Sequence, residues 1–146
     1  MRHKLFIILI VVVVILLMAC GGGPKSGRGF HMPDGDPEKG KIAFTDLKCH
    51  ECHTVKGVEL PPPSGSVQVM VMLGGDTYQI HTYGDLVTSI INPSHRITRS
   101  YPKEVVEKDG KSKMLNFNSV MTVQQMIDLV AFLQSHYKFV PPEAVN

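Results

Sequence analysis

The 146-residue sequence has little net charge and only three cysteines, and each shortage rules something out. Formal charge is +2. Without Arg2 and Lys4, at the extreme N-terminus, the 15 basic residues become 13, equal to the 13 acidic ones. Nothing here makes the basic stripe expected of a nucleic-acid binder, and a neutral total gives no bulk steering toward a charged partner. A zinc ribbon needs a second ligand pair, and beyond Cys49 and Cys52 the chain has only Cys20. No β-α-β pattern surrounds these cysteines, as a thioredoxin-like dithiol would require. Long apolar runs are also scarce. The one candidate, Leu5 to Met18, is shorter than the roughly 20 residues a membrane-spanning helix needs.

That run is instead the right size for the core of a secretory signal, behind the short positive region Met1-Arg2-His3-Lys4. It ends in Leu17-Met18-Ala19-Cys20, which resembles a bacterial lipobox. The resemblance implies cleavage before Cys20, lipidation of its thiol and acylation of the new N-terminus. Several acyl chains hold a protein stably on a membrane, at about 0.8 kcal/mol per buried methylene. The alternative is an uncleaved helical anchor, and either way the rest of the chain faces outside the cytoplasm. Gly21 to about Met32 is glycine-rich, with Pro24, Lys25 and Ser26, the composition of a flexible tether. No acidic residue follows Cys20, which by resemblance to proteobacterial lipoproteins favours the outer over the inner membrane. The expected organisation is a signal over 1–19, lipidated cysteine and tether over 20–33, one domain over 34–140 and a tail over 141–146.

Cys49-His50-Glu51-Cys52-His53 has the spacing Cys-x-x-Cys-His, the attachment signature of c-type haem. Two thiols one helical turn apart can reach the two vinyl groups on one porphyrin edge, and the next residue sets an imidazole under the iron. With Cys20 lipidated and Cys49 and Cys52 as thioethers, no thiol remains for a disulfide. Upstream, Asp36 reads as an N-cap with Pro37 at the first helical position. Gly40, Phe44 and Leu47 then recur at spacings of three and four. Downstream, Thr122 and Gln125 form a capping-box pattern, opening a helix to about Tyr137 with an apolar stripe of Met126, Ile127, Val130, Leu133 and Tyr137.

Gly40-x-x-x-Phe44 ahead of the haem motif, and Asp128-Leu129-Val130-Ala131-Phe132-Leu133 near the end, resemble the first and last helices of class I cytochromes c. The Asn92-Pro93-Ser94 run, Tyr101 and Asp109-Gly110 resemble haem-binding cytochrome domains of bacterial respiratory chains, and the likeness covers roughly residues 37 to 137. It implies a mainly α cytochrome c fold whose N- and C-terminal helices cross over one covalent haem c, with His53 as the proximal iron ligand.

Methionine as the other axial ligand raises the potential relative to a second histidine. Among eight methionines, Met1 and Met18 lie in the signal and Met32 in the tether; Met70 and Met72 alternate like strand residues. With Met126 in the apolar stripe of the C-terminal helix, Met114 and Met121 remain. Met114-Leu115-Asn116-Phe117 resembles the family's Met-Pro-x-Phe segment, which implies Met114 as distal ligand and places Met121 at the apolar position before the cap. Leu115 stands where the family usually has proline. His81 and His95 are minor candidates, since a loop histidine is more often solvated.

Between the ligands, Pro61, Pro62 and Pro63 offer carbonyls, one of which the resemblance would pair with the His53 N–H, a bond that fixes ring orientation. Val67–Leu73 and Tyr78–His81, split by Gly74-Gly75-Asp76-Thr77, read as a small β-hairpin insertion. Tyr83 to Ile91 reads as a short helix stopped before Pro93, and Asp109-Gly110 as a hairpin turn. Arg96, Arg99, Lys111 and Lys113 flank the Met114 side. They read either as a solvated surface or as groups for haem propionates or a docking partner. The functional expectation is a membrane-anchored electron carrier between respiratory partners on the periplasmic side. The alternatives are a haem subunit of a larger oxidoreductase complex, and a haem enzyme or sensor with a labile sixth ligand.

Overall fold

Two helices carry the fold, and both start where local chemistry favours a start. In the computed structural model, which describes residues 30–66 and 69–141 together with Lys4 and Phe6, Asp36 takes extended backbone angles. Its carboxylate accepts from the N–H groups of Glu38 and Lys39 at 3.0 and 3.3 Å. Helix α1 then runs Pro37–Asp46, with Pro37 at a position whose N–H has no intrahelical partner to lose. The chain divides into two units, Met1–His31 and Met32–Asn146; every element named here belongs to the second. The signal segment and Cys20 fall outside the described residues apart from Lys4 and Phe6. Among the described residues no helix is long and apolar enough to cross a membrane.

The C-terminal helix, numbered α4, spans Val123–Ser135. The Thr122 hydroxyl accepts from the Gln125 N–H at 3.1 Å, and the Gln125 side chain accepts from the Thr122 N–H at 2.9 Å. Helices α1 and α4 pack directly on each other. A Cβ on Gly40 would stand 2.1 Å from the Asp128 carbonyl oxygen and 2.5 Å from the Phe132 Cβ. Only a residue without a side chain lets the two backbones come this close. Phe44 and Phe132, both almost fully buried, meet edge to face at 5.7 Å. Burying side chains of this size stabilises by about 1.5–3 kcal/mol each. Buried Asp128 closes the same contact, its Oδ1 accepting from the Asp36 N–H at 2.9 Å and from Gln124 Nε2 at 3.0 Å.

Between these helices lie short elements. A 3-10 turn covers Cys49–Glu51 and strand β1 covers His53–Val55. Strands β2, Val71–Leu73, and β3, Gly75–Thr77, follow. Helix α2, Tyr83–Ile91, is capped by a reciprocal Thr82–Asp85 pair and packs on α4. A single turn α3, Lys103–Val106, precedes the two-residue strands β4, Glu107–Lys108, and β5, Lys111–Ser112. Strand β6, Tyr137–Phe139, follows α4. The core gathers Ala43 and Phe44 of α1, Val55 of β1, Leu86 and Ile90 of α2, and Leu129, Val130, Phe132 and Leu133 of α4.

Two sequence expectations need correcting. The alternation in 67–73 points to a hairpin with 78–81, but among the described residues those segments do not pair. Strand β2 lies parallel to β1, with His53 opposite Val71 and Val55 opposite Leu73. Strand β3 lies parallel to β6, with Gly75 opposite Tyr137 and Thr77 opposite Phe139. Only Gly74 separates β2 from β3, at φ +76, and a Cβ there would sit 2.9 Å from the His136 carbonyl oxygen. One residue cannot turn a strand back on itself, so each strand finds a distant partner. Tyr137, read as the end of the α4 stripe, also leaves the helix. The His136 N–H donates to the Leu133 carbonyl at 3.1 Å and closes the last turn, after which the chain extends. The hairpin that does form is β4–β5, on Asp109 at φ 52 and Gly110 at φ 76, the pair of positive φ values its Asp-Gly signal calls for.

Candidate haem site

The attachment motif is built on a tight turn that hands over to a strand. Lys48 enters it in the left-handed region at φ 57, and the Cys52 N–H donates to the Cys49 carbonyl at 3.1 Å. Both thiols are free, Cys49 half-buried and Cys52 exposed. Burial pushes the Cys49 thiol up to about 11. His53 opens β1, and the pairing with β2 fixes its backbone: the Val71 N–H donates to the Cys52 carbonyl at 2.9 Å. Burial holds the His53 imidazole below its usual pKa, with the Val71 backbone opposing, so the neutral ring, the form that binds a metal, is favoured. Its Nδ1 is buried with no hydrogen-bond partner among the described residues.

Two further features of the motif had no signal in the residue pattern. His50, the first spacer residue, is buried, its Nδ1 also without a partner among the described residues. Glu51, the second, reaches across to the proline loop. Its carboxylate accepts from the Ser64 N–H at 2.8 Å and from the Ser64 hydroxyl, and these bonds hold its pKa down. The loop carrying Pro61, Pro62 and Pro63 is thus pinned to the motif through Glu51. No hydrogen bond runs from the His53 ring to any of the three proline carbonyls, and the backbone that bears on the ring is that of Val71.

The methionines separate by their surroundings. Met121 is half-buried and packs against the hydrophobic core, its N–H donating to the Phe117 carbonyl at 2.9 Å. With Ile91, Asn118, Thr122, Val123 and Met126 it lines an open hollow of about 240 Å³. Met114 is half-buried outside that core, on the loop leaving β5, its N–H donating to the Ser112 hydroxyl at 3.2 Å. Met72 is exposed on β2. His81 stacks on Tyr137 at 4.4 Å, and His95 Nδ1 lies 2.9 Å from the Asn92 carbonyl.

The family model described as cytochrome c matches residues 37–136, from the start of α1 to the end of α4. The chain belongs to the cytochrome c family. No curated protein and no solved structure matches it. Membership makes this an electron-transfer haem protein and implies a covalently bound haem c. The donor set of the cytochrome c domain fits that group: two thiols in no disulfide, a fixed turn between them, and on the next residue a half-buried imidazole, favoured neutral, with a buried and unpartnered Nδ1. The four cations near Met114 are all exposed. Lys113 Nζ donates to the Glu104 carbonyl at 2.6 Å, and Arg96 lies near enough to Asp85 to help hold that carboxylate's pKa down.

Proposed function

We propose that this cytochrome c is a membrane-anchored, class I, monohaem carrier that moves single electrons between respiratory partners on the periplasmic side. The observation that carries the reading is the motif's geometry: Cys49 and Cys52 on one turn, in no disulfide, followed by the half-buried His53 imidazole with a buried Nδ1 that has no partner among the described residues. The covalently held haem supplies a one-electron iron couple. Cys49 and Cys52 hold it by thioethers, and β1–β2 fixes the backbone that carries His53. Met114 is the distal ligand. The support for that choice is the segment Met114-Leu115-Asn116-Phe117, which resembles the family's Met-Pro-x-Phe, and Met121's place just before the α4 cap. Cys20 carries the lipid, and the support for the anchor is the lipobox-like sequence ahead of it.

The test is the spectrum of the oxidised protein. Met114→Ala abolishes the weak long-wavelength band of methionine-ligated ferric haem and lowers the potential, whereas Met121→Ala leaves both in place. The opposite pattern overturns the ligand assignment. Ready binding of carbon monoxide by the native protein overturns the closed carrier in favour of a haem enzyme or sensor.

A further inference from the structure

The loop after β3 displays large apolar side chains on a fixed support. Thr77 sits opposite Phe139 in the parallel pair, and its carbonyl accepts from the Val140 N–H at 2.8 Å. Four residues on, His81 stacks on Tyr137 of the same strand, and its carbonyl accepts from Gln134 Nε2 at 3.3 Å. Within the loop the Thr77 hydroxyl lies 3.2 Å from both the Gln79 carbonyl and the Gln79 N–H. The loop is therefore held on β6 at both ends. What it presents is apolar: Tyr78 is 62% exposed and Ile80 67%, beside Phe139 at 45%. A loop that only connects β3 to α2 has no need of such side chains, which do not reach the core.

The geometry points to a phospholipid surface as the occupant of this patch, a contact that rests on the proposed lipid anchor at Cys20. Eleven residues, twelve Cα–Cα steps, separate Cys20 from Met32, where the second unit begins. Whatever their conformation they span at most about 43 Å. A unit of this size is about 35 Å across, from its expected radius of gyration of about 13 Å. The leash thus keeps the domain within reach of the bilayer without choosing which face meets it. At that enforced proximity a small patch is enough to choose. Tyrosine and phenylalanine with an adjacent lysine suit the headgroup boundary, where an aromatic ring buries its body and keeps a polar tip wet. Lys138 precedes Phe139, but its register partner is Asp76, so the apolar side chains carry the contact and charge is secondary.

Among the remaining exposed apolar side chains, which include Phe30, Ile42 and Met72, the group Leu115, Val120 and Val123 adjoins the proposed distal ligand loop and holds no aromatic side chain. Seating the domain through 78–80 and 139 leaves that loop free for a redox partner.

The full mature chain, reconstituted into phosphatidylethanolamine–phosphatidylglycerol vesicles with a trace of diazirine-bearing phosphatidylcholine, is photolysed and its labelled peptides are mapped. The expected labels in the domain fall on 78–80 and 137–139. The variant Tyr78→Ser, Ile80→Ser, Phe139→Ser lowers them by about tenfold while the haem spectrum stays unchanged. Labels confined to the N-terminal segment, labels on 115–123, or equal labelling of the variant overturn the lipid contact. The mass of the N-terminal peptide judges the anchor separately: a Cys20 without acyl groups overturns the anchor, whatever the domain's labels show.

Discussion

The contact between α1 and α4 and the strap formed by β1, β2, β3 and β6 solve the same problem by different physics. Both bring distant parts of the chain together around the attachment motif. The helix pair does so with side chains: Phe44 against Phe132, and Asp128 tied to the Asp36 N–H, around a glycine that admits a backbone. The strap does so almost entirely with backbone hydrogen bonds between three-residue strands, and few of its side chains are buried. Apolar burial dominates stability, while a backbone hydrogen bond adds only about 1 kcal/mol net. The helix pair should therefore set how stable the domain is, and the strap should set where His53 and the 78–80 loop are held.

Matched glycine substitutions test that division. Gly40→Ala drives a methyl into the α4 backbone and is expected to cost about 3 kcal/mol, read from chemical denaturation. Gly74→Ala meets the His136 carbonyl at 2.9 Å and keeps a positive φ, at an expected cost of about 2 kcal/mol. If Gly74→Ala proves the more damaging, the strap and not the helix pair carries the fold. Gly110→Ala faces open space and retains only the backbone penalty, about 1 kcal/mol.

The smallest effect expected is that of acid. Asp36 is held below its usual pKa chiefly by the Lys39 N–H, and Asp85 by the Thr82 side chain. A carboxylate depressed on folding stabilises above its unfolded pKa of about 3.9 and loses that contribution as pH falls through the lower folded value. Stability should thus hold down to about pH 4 and fall below it, with Asp36→Asn flattening part of the fall in an acid titration followed by circular dichroism. An unchanged slope would mean that this cap does not govern the acid limb.

Local chemistry made the helices and their caps legible. Asp36-Pro37 and Thr122 with Gln125 declare themselves within four residues, and Asp109-Gly110 declares its turn in two; the Thr82–Asp85 cap of α2 emerged only from the structure. Gly40 and Phe44 could be placed because helical spacing put them on one face. The strap was not legible for the converse reason. Val71–Leu73 pairs with a strand 18 residues earlier and Gly75–Thr77 with one 62 residues later, so neither partner lies within reach of a periodicity. The alternation of 67–73 carries a strand signal but does not name its partner. The same nonlocality hid the Glu51–Ser64 tie, which spans 13 residues, and the second close approach at Gly35, where a Cβ would stand 2.5 Å from the Ile127 carbonyl oxygen. In the candidate site, Cys49, Cys52 and His53 stand out because covalent attachment demands fixed spacing. A carbonyl for the His53 ring has no such local signal, because any carbonyl brought near by folding can serve.

The most direct test of the central claim is the intact mass of the purified protein after acid–acetone extraction. Thioethers at Cys49 and Cys52 predict that one haem mass stays with the chain, and that the double variant Cys49→Ala, Cys52→Ala releases all of its haem to the solvent. A wild-type chain that gives up its haem on extraction, or one that retains two, would contradict the account.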